Sequence, residues 1–445
     1  MTNPTLLVQG ATLPDGVQAD ILIEGTQIRE VGTGLSSAGA HTIDARGLIA
    51  LPGLVDLHTH LREPGFEQSE TVLTGTQAAA LGGFTSVFAM ANTQPVADTA
   101  GVVEQVLRLG DEAGYATVRP IGAVTQGLEG KQLAELGAMA HSRAQVRVFS
   151  DDGKCVSDPL IMRRALEYVK TFGGVIAQHA QEPRLTIDAQ MNEGEVSARL
   201  GLAGWPAVAE ESIIARDVLL AEHVGSRLHI CHLSTAGSVD VIRWAKKRGI
   251  NVTAEVTPHH LLLTDERAES YDARFKVNPP LRRSEDVMAL REALADGTID
   301  IVATDHAPHP VESKECEWGA AAFGMVGLES ALAVVQTTMV DTGLLGWSDV
   351  ARVLSETPAR IGGLSSHGHK IAPGIQAELV LVDPSAQRTF GVQDLASLSH
   401  NSPYFGIDLS GQVVATIHQG YLTAENRSLI HAEEVAVRAL EVLRG

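Results

Sequence analysis

DLHTHLREPG, at residues 56–65, directly follows an apolar run at residues 51–55, and the rest of the chain can be interpreted outward from this stretch. Side chains two residues apart point to the same face of an extended strand. The side chains expected to project together from the end of a buried strand are Asp56, His58, His60 and Arg62. Two imidazoles at this spacing can bind one metal ion, and an arginine can hold an anion beside it. A bare His-x-His is more often a structural pair, so the hypothesis depends on matching residues elsewhere.

The middle of the chain alternates between strand-like and helix-like segments. Eight apolar, β-branched runs are expected to be strands, at residues 51–57, 84–89, 117–124, 146–149, 174–177, 227–231, 251–256 and 300–303. Helical patterns separate most of them; one opens at Asp158-Pro159 and another spans residues 284–295. This order predicts an α/β protein with a (β/α)8 TIM-type barrel. A doubly wound open sheet is the alternative, but no G-x-G-x-x-G follows any strand.

Both ends of the chain are rich in short strands. These are expected at residues 5–9, 19–24, 27–31 and 42–44, and again at 377–382 and 412–418. We therefore predict a small β-sandwich domain built from both termini. Its N-terminal part is residues 1–52, and its C-terminal part is residues 366–445, including a terminal helix at 431–443. Residues 53–365 would form the metal-dependent barrel.

Charge and cysteine usage limit the partners of the chain. The 445 residues contain 34 Lys plus Arg against 54 Asp plus Glu, giving a formal net charge of −20. Such an acidic chain argues against nucleic acid or an anionic membrane as partner, and an anionic substrate would need a local basic pocket. The three cysteines are far apart and form no disulfide or Cys-x-x-Cys zinc pattern. With no signal sequence or long apolar run, the expected location is the cytoplasm.

Polar side chains that can bind metals fall at the carboxyl ends of the expected strands, where barrels form their active sites. They are His58, His60, Asn92, Asp151, Asp152, His179, His232, Asp305, His306 and, further on, His309. Six of them are selected as metal ligands: His58, His60, His179, His232, Asp152 and Asp305. These four histidines and two carboxylates are more than one tetrahedral zinc needs, and they suit two ions that share a bridge. We assign the bridge to Asp152, and we expect its neighbour Asp151 to cap the turn before Gly153.

The remaining polar residues resemble a set of contacts to a substrate. Asp305 can bind one metal and also move a proton from water to a leaving nitrogen. Arg62 can make a bidentate contact to a carboxylate. Uncharged amides come from Asn92 and Asn278, and His309 adds a further donor. Asn278-Pro279-Pro280 is equally well interpreted as a rigid turn. The pair His259–His260 is treated as structural, and Cys231 is expected to face the core.

The order of the motifs makes the chain resemble a known family. DLHTHLREPG, ANTQP, FSDDG, QHAQE, ICHLS, TAEVTPHHLLLT, KVNPPLR and ATDHAPH together look like a bacterial dihydroorotase of the amidohydrolase superfamily, over residues 45–375. The resemblance implies a barrel with two Zn²⁺ ions and a hydroxide between them. It also implies the reversible, zinc-dependent cyclisation of N-carbamoyl-L-aspartate to L-dihydroorotate in de novo pyrimidine biosynthesis.

Site residues are carried over from this resemblance motif by motif. His58 and His60 would hold the first metal, and His179 and His232 the second. FSDDGK is similar to the class I type, in which an aspartate, here Asp152, bridges the metals instead of a carbamylated lysine. Asp305 would be a metal ligand and the general acid/base. The substrate-binding positions implied are His60, Arg62, Asn92, Asn278, His309, Phe323 and Gly324. Residues 310–322 would form the loop over the site.

Two alternatives remain open. The first is a hydantoinase, dihydropyrimidinase or allantoinase on the same scaffold, whose ring substrates generally lack the carboxylate that Arg62 suits. The second is a non-catalytic dihydroorotase-like partner of aspartate transcarbamoylase, which should have lost metal ligands, whereas this chain has the whole set. We expect a homodimer, with aspartate transcarbamoylase as a further partner to be tested.

Overall fold

The computed structural model describes residues 5–430, and strands from both ends of the chain share one sheet. In chain order the strands are β1 Thr5–Thr12, β2 Gln18–Glu24, β3 Gln27–Gly32, β4 His41–Asp44, β5 Ile49–Pro52, β6 Leu54–Thr59, β7 Phe84–Ala89, β8 Thr117–Pro120, β9 Val148–Phe149, β10 Val175–Gln178, β11 Met191–Asn192, β12 Gly204–Trp205, β13 Leu228–Ile230, β14 Val252–Val256, β15 Ile301–Val302, β16 Leu379–Thr389, β17 Asp408–His418, β18 Tyr421–Glu425 and β19 Ser428–Leu429.

Helices separate most of the strands in the middle of the chain. They are α1 Val72–Leu81, α2 Ala100–Ala113, α3 Leu136–His141, α4 Pro159–Lys170, α5 Glu195–Leu200, α6 Val208–Val224, α7 Ala236–Lys247, α8 Pro258–Leu262, α9 Ser284–Ala295, α10 Val311–Lys314, α11 Ala331–Val335, α12 Trp347–Ala351 and α13 Thr357–Gly362. Asp158 caps α4 as expected, because its carboxylate accepts from the backbone N–H groups of Leu160 and Ile161. The helix expected at residues 284–295 is also confirmed.

Eight parallel strands follow one another in a continuous ring. One sheet contains β6, β7 and β8, and a second contains β9, β10, β13, β14 and β15. Two isolated parallel bridges, Gly122 with Phe149 and Thr59 with His306, join the sheets at both edges. The carboxyl ends of all eight strands therefore meet at one rim, where the polar residues of the sequence motifs lie.

The strand expected at residues 51–57 is in fact two strands in different sheets. In β5, Leu51 pairs antiparallel with Val380 of β16, whereas β6 pairs parallel with β7. The change occurs at Gly53, where a Cβ atom would lie 2.3 Å from Thr85 Oγ1. A residue without a side chain is needed there, because the chain passes close to β7 as it crosses from one sheet to the other.

The strands of both termini form a single nine-stranded sheet. Its order is β19-β18-β17-β16-β5-β1-β2-β3, with β4 beside β1. A separate apolar cluster fills its inner face, with members that include Val8, Ile21, Ile23, Leu379 and Ile417. The helix expected at residues 431–443 lies outside the described residues. Within residues 5–430, none of the helices has the length and apolar character needed to cross a membrane.

Candidate active site and metal centre

The rim of the ring carries a buried cluster of four histidines and two aspartates. Each lies at or just beyond the carboxyl end of a ring strand: His58 and His60 at β6, Asp152 at β9, His179 at β10, His232 at β13 and Asp305 at β15. None of the six is more than 5% exposed. The structure therefore brings together all the side chains that the sequence selects as metal ligands, although they are up to 247 positions apart.

Asp152 lies between the two pairs of histidines. Its carboxylate is 3.4 Å from His58 Nε2, 3.2 Å from His60 Nε2, 3.2 Å from His179 Nδ1 and 3.4 Å from His232 Nε2. Two groups of converging ligand atoms both include it: His58, His60, Asp152 and Asp305 form one, and Asp152, His179 and His232 form the other. A carboxylate common to both groups has the position that a bridge between two ions requires.

Asp305 completes the first group of ligands. Its Oδ1 is 3.1 Å from His60 Nε2 and 3.3 Å from His58 Nε2. Burial raises the pKa of its carboxyl, but the charges of His58 and His60 and the hydrogen bond from His60 outweigh burial and bring the pKa to about 2. Burial also raises the pKa of Asp152, but the charge of His58 and the hydrogen bonds from His179, His232 and His58 outweigh burial and hold it well below its usual range. Both carboxylates are therefore ionised near neutral pH.

Three of the histidines are oriented by an oxygen on the far side of the ring. His58 Nδ1 donates to Glu255 Oε1 at 2.6 Å, His60 Nδ1 to Asn92 Oδ1 at 2.9 Å, and His179 Nε2 to Gln181 Oε1 at 2.8 Å. When a metal ion is bound, the outer nitrogen of each ring would carry the proton, and the inner nitrogen would present its lone pair to the ion.

These inner atoms fit metal ions. His58 Nε2 is buried without a hydrogen-bond partner among residues 5–430. His179 Nδ1 and His232 Nε2 lie only 2.8 Å apart, and both face Asp152. Two ligands of one tetrahedral zinc are about 3.3 Å apart when each bond is about 2.05 Å. Nitrogen and carboxylate oxygen atoms that converge at these separations form groups that could hold metal ions.

Asp151 has a different environment from Asp152. Its Oδ1 accepts from the backbone N–H groups of Val124 (2.8 Å) and Thr125 (2.9 Å), and its Oδ2 accepts from the Thr125 hydroxyl. These contacts tie the segment after β9 to the segment after β8. The expectation that Asp151 caps the turn before Gly153 is therefore wrong: its carboxylate caps the segment after β8, and only its neighbour Asp152 faces the histidines.

Arg62 reaches the rim by a route that strand alternation does not describe. Strand β6 ends at Thr59, and Arg62 adopts a left-handed backbone with φ 64°. Its Nε donates to Pro308 O at 3.1 Å, and its Nη2 lies 3.4 Å from His309 Nε2. Burial lowers the pKa of Arg62 to about 10, so the guanidinium is still charged near neutral pH.

Two of the other expected substrate residues, His309 and Asn278, already have protein partners. His309 Nε2 donates to Phe323 O at 2.8 Å, and burial together with Arg62 lowers the pKa of His309 to about 3, so the ring is neutral. A Cβ at Gly324 would lie 2.8 Å from His309 Nε2, so the glycine permits this packing. Asn278 Nδ2 donates to Gln181 Oε1 at 3.1 Å.

The segment at residues 310–322 is anchored next to the site. It contains the short helix α10 and the buried Lys314, whose Nζ donates to the carbonyl oxygens of Lys276 (3.2 Å), Ala322 (2.7 Å) and Gly324 (2.8 Å). Burial, followed by the charge of Lys276, lowers the pKa of Lys314 to about 7. These contacts tie the segment to Lys276 and Gly324, and its role as the loop over the site stays a prediction.

Sequence reasoning missed the residues behind the histidines. Glu255 accepts from His58 and, through Oε2, from His229 Nε2 at 2.9 Å. Burial raises its pKa, but the nearby His58 and His229 outweigh this and keep it well below the usual range. A signal was present, because Glu255 is the one charged residue in the otherwise apolar strand β14. Gln181, two positions after His179, stands inside the QHAQE motif, but its role was not assigned.

Two further expectations concern residues near the rim. His259 and His260 are both buried; His260 contacts Thr257 Oγ1 at 2.8 Å and Pro280 O at 3.2 Å, which agrees with a structural role. His259 Nε2 has no hydrogen-bond partner in the part of the chain that the structure describes. Cys231 is buried in an apolar cluster, as expected.

The chain is similar to known proteins along nearly its whole length. A sequence model of the Dihydro-orotase-like family matches residues 47–238. A protein of Leifsonia xyli called Dihydroorotase is 74% identical, with 97% of this chain and 99% of the relative covered. Dihydroorotases of Streptomyces coelicolor (68% identity, 94% and 97% covered) and Mycobacterium tuberculosis (55%, 93% and 96%) are also similar. Among solved structures, L-hydantoinase of Arthrobacter aurescens superposes with TM-score 0.85 at 25% identity, covering 97% and 98% of the two chains.

Proposed function

The chain belongs to the dihydroorotase family, whose members are cyclic amide hydrolases, and from this premise we propose that it interconverts L-dihydroorotate and N-carbamoyl-L-aspartate at the rim site. The proposal rests mainly on the position of Asp152, whose carboxylate is common to both groups of ligand atoms. A shared carboxylate between two such groups is what a two-metal hydrolase would require, and the relatives of this chain are dihydroorotases. His58, His60 and Asp305 would hold the first ion, His179 and His232 the second, and Asp152 both.

Two metal ions held by these residues would supply acidified water and polarise the carbonyl of the ring amide. Asp305 would transfer the proton. In hydrolysis its ionised carboxylate accepts a proton from the attacking water and delivers it to the ring nitrogen as the C–N bond breaks. The broken bond gives a carboxylic acid and the carbamoyl NH₂ of carbamoyl-aspartate, and the second proton of the water passes to solvent when the acid ionises. In the reverse direction Asp305 accepts the proton from that nitrogen as the ring closes and delivers it to the oxygen that leaves as water.

Arg62 is proposed to bind the carboxylate that dihydroorotate carries on its ring. Its charged guanidinium lies beside His309. A fixed cation opposite the substrate carboxylate orients the ring amide toward the metals and counters the acidic surroundings. Asn92 and the backbone at Phe323–Gly324 are proposed to border the ring.

We also propose the finer features that the resemblance implies. The metals would be Zn²⁺, two per chain, in the class I arrangement with an aspartate bridge and a role in pyrimidine biosynthesis. The ring of eight strands would be the (β/α)8 barrel, with residues 53–365 as its domain. Residues 1–52 and 366–445 would form the small β domain, and the chain would act as a homodimer. Aspartate transcarbamoylase is the macromolecular partner to test.

Metal analysis coupled to a hydrolysis assay tests this function directly. The purified chain should contain two zinc ions, hydrolyse L-dihydroorotate and cyclise carbamoyl-aspartate, and lose both activities when a chelator removes the metal. Hydantoin, dihydrouracil and allantoin provide the comparison, because they lack the carboxylate that Arg62 would bind. Faster hydrolysis of any of these rings than of dihydroorotate would indicate a hydantoinase-type enzyme. A chain without metal and without activity would indicate the non-catalytic alternative.

Arg62→Met is expected to weaken the capture of dihydroorotate. A charge-assisted hydrogen bond contributes about 1.5–3 kcal/mol, which corresponds to an increase in KM of about 10- to 150-fold. Metal content should be unchanged, because the side-chain hydrogen-bond contacts of Arg62 are with Pro308 and His309, and neither is one of the six proposed ligands. Steady-state kinetics on dihydroorotate provide the measurement, with Arg62→Lys as the control that keeps the charge. An unchanged KM in Arg62→Met would argue against the contact.

A further inference from the structure

Gln181 connects a metal ligand to a residue on the substrate side of the site. Its Oε1 accepts two hydrogen bonds, from His179 Nε2 at 2.8 Å and from Asn278 Nδ2 at 3.1 Å. Its Nε2 donates to Thr186 Oγ1 at 2.8 Å, and this contact fixes which end of the amide faces the site. One oxygen atom therefore determines the orientation of two side chains that belong to different parts of the catalytic machinery.

The other histidines are held differently. Behind His58 stands the carboxylate of Glu255, which is itself tied to His229 and to the backbone N–H of His232 at 3.2 Å. None of these contacts involves a residue that is proposed to bind the substrate. Behind His60 stands Asn92, whose Oδ1 accepts from this one ring. Of these three outer partners, Gln181 alone also accepts a hydrogen bond from Asn278.

We propose that Gln181 is a positioning residue that couples the second metal, held by His179, to substrate binding at Asn278. The proposal rests on the proposed function, because it takes the rim site as the place where metal and substrate meet. By accepting from His179 Nε2, Gln181 keeps the proton on the outer nitrogen and leaves Nδ1 for the metal. By accepting from Asn278 Nδ2, it turns Asn278 Oδ1 toward the pocket.

The side-chain oxygen of Asn278 supports a coupling between Gln181 and substrate binding. Asn278 Oδ1 is buried and makes no hydrogen bond to any residue that the structure describes. An amide oxygen in this state is available to accept from a ring N–H of the substrate, since a buried acceptor without a partner is costly. The neutral oxygen of Gln181 is also a weaker partner for an imidazole than the Glu255 carboxylate. The second metal is therefore expected to be the more easily removed of the two.

The decisive comparison is between Gln181→Leu and Gln181→Glu. Leucine removes the oxygen that both contacts require, whereas glutamate keeps an oxygen at the same distance from the backbone. Loss of an oxygen that orients a metal-bound histidine lowers metal affinity by about 10- to 100-fold. Gln181→Leu should therefore keep one metal ion and lose the other at a chelator concentration that leaves two ions on the unaltered protein. Gln181→Glu should keep both ions.

Asn278→Ala provides the matched control, because it removes the other contact of Gln181 without touching His179. It should raise KM for dihydroorotate and leave chelator resistance unchanged. In Gln181→Leu, with the metal restored by excess Zn²⁺, KM should also rise, but adding Gln181→Leu to Asn278→Ala should raise KM little further, because Gln181 acts on the substrate only through Asn278. Thermal melting distinguishes these effects from a general loss of packing.

Several outcomes would overturn the proposal. These are two ions in Gln181→Leu at the same chelator resistance as the unaltered protein, failure of glutamate to restore the second ion, or loss of metal from Asn278→Ala equal to that from Gln181→Leu. The metal measurements need no turnover. If the unaltered protein binds two metals but does not hydrolyse dihydroorotate, the proposed function fails, and the metal measurements still decide the role of Gln181 toward His179.

Discussion

Replacement of Asp305 by alanine is expected to lower kcat for dihydroorotate hydrolysis by about 10²- to 10⁴-fold, the usual contribution of a general acid/base. The reason is that the variant has no group at this position to take the proton from water and pass it to the leaving nitrogen. In the unaltered protein, Asp305 Oδ1 lies 3.1 Å from His60 Nε2 and 3.3 Å from His58 Nε2, within the first group of ligand atoms. Single-turnover and steady-state kinetics in both directions would measure the loss.

Metal content must be measured on the same Asp305→Ala sample. His58, His60 and Asp152 remain, so the variant should keep at least one ion, and added Zn²⁺ should not restore turnover. Asp305→Asn is the closer control, because it preserves size and one oxygen ligand but cannot accept the proton. If either variant had near-normal kcat, proton transfer would belong to another group. If added Zn²⁺ restored activity, the role of Asp305 would be that of a metal ligand alone.

The alternation of strands and helices could be predicted from the sequence because each element carries a local signal. Asp158 and Pro159 mark the start of α4 within two positions, and the β-branched runs mark the ring strands. The passage at Gly53 was missed because nothing local distinguishes Leu51, which pairs with β16, from Leu54, which belongs to the ring. Both residues are apolar and fully buried, and only the distant partner decides the sheet.

The six side chains that converge at the rim could also be predicted, but the geometry around them could not. Arg62, His232 and Asp305 all have positive φ values (64°, 34° and 48°), which side-chain-bearing residues rarely adopt. Such conformations persist where the surrounding structure determines them, and they concentrate at functional sites. A period of two residues along a strand cannot predict them. Strand alternation therefore predicted correctly that Arg62 lies near the histidines, but for the wrong reason, because β6 ends before Arg62.

The residues behind the ligands were missed for a related reason. Glu255 is 197 positions from His58, and Gln181 is 97 positions from Asn278, so their contacts depend on the closure of the ring. Their residue types do not identify a metal site in the way a histidine pair does. A buried Glu in an apolar strand is nevertheless costly unless it has partners. It should have indicated a cation or imidazole nearby, and the structure provides two imidazoles, from His58 and His229.

Asp152→Asn is expected to disrupt the metal centre, because it removes the carboxylate that both groups of ligand atoms share. Four imidazole nitrogens lie within 3.4 Å of its carboxylate, and both groups of ligand atoms include it. An asparagine amide has one acceptor oxygen and no charge, so it can neither bridge two cations nor offset their repulsion. Metal per chain should fall from two to one or none, and hydrolysis should be undetectable even with excess Zn²⁺, because the residual site has no second ion to share the water and the carbonyl.

Asp151→Asn is the matched control, one residue away in the same DD pair. Asp151 accepts from Val124 and Thr125 and from no histidine in the described contacts, so its loss should cost about 1–3 kcal/mol of unfolding free energy while both metals remain. Metal analysis and thermal melting of the two variants therefore give opposite patterns: Asp152→Asn loses metal, and Asp151→Asn loses stability. The reverse pattern, with two ions on Asp152→Asn and fewer on Asp151→Asn, would transfer the bridge to Asp151. Equal metal loss in both would mean that the rim segment after β9, and no single carboxylate, determines whether the ions bind.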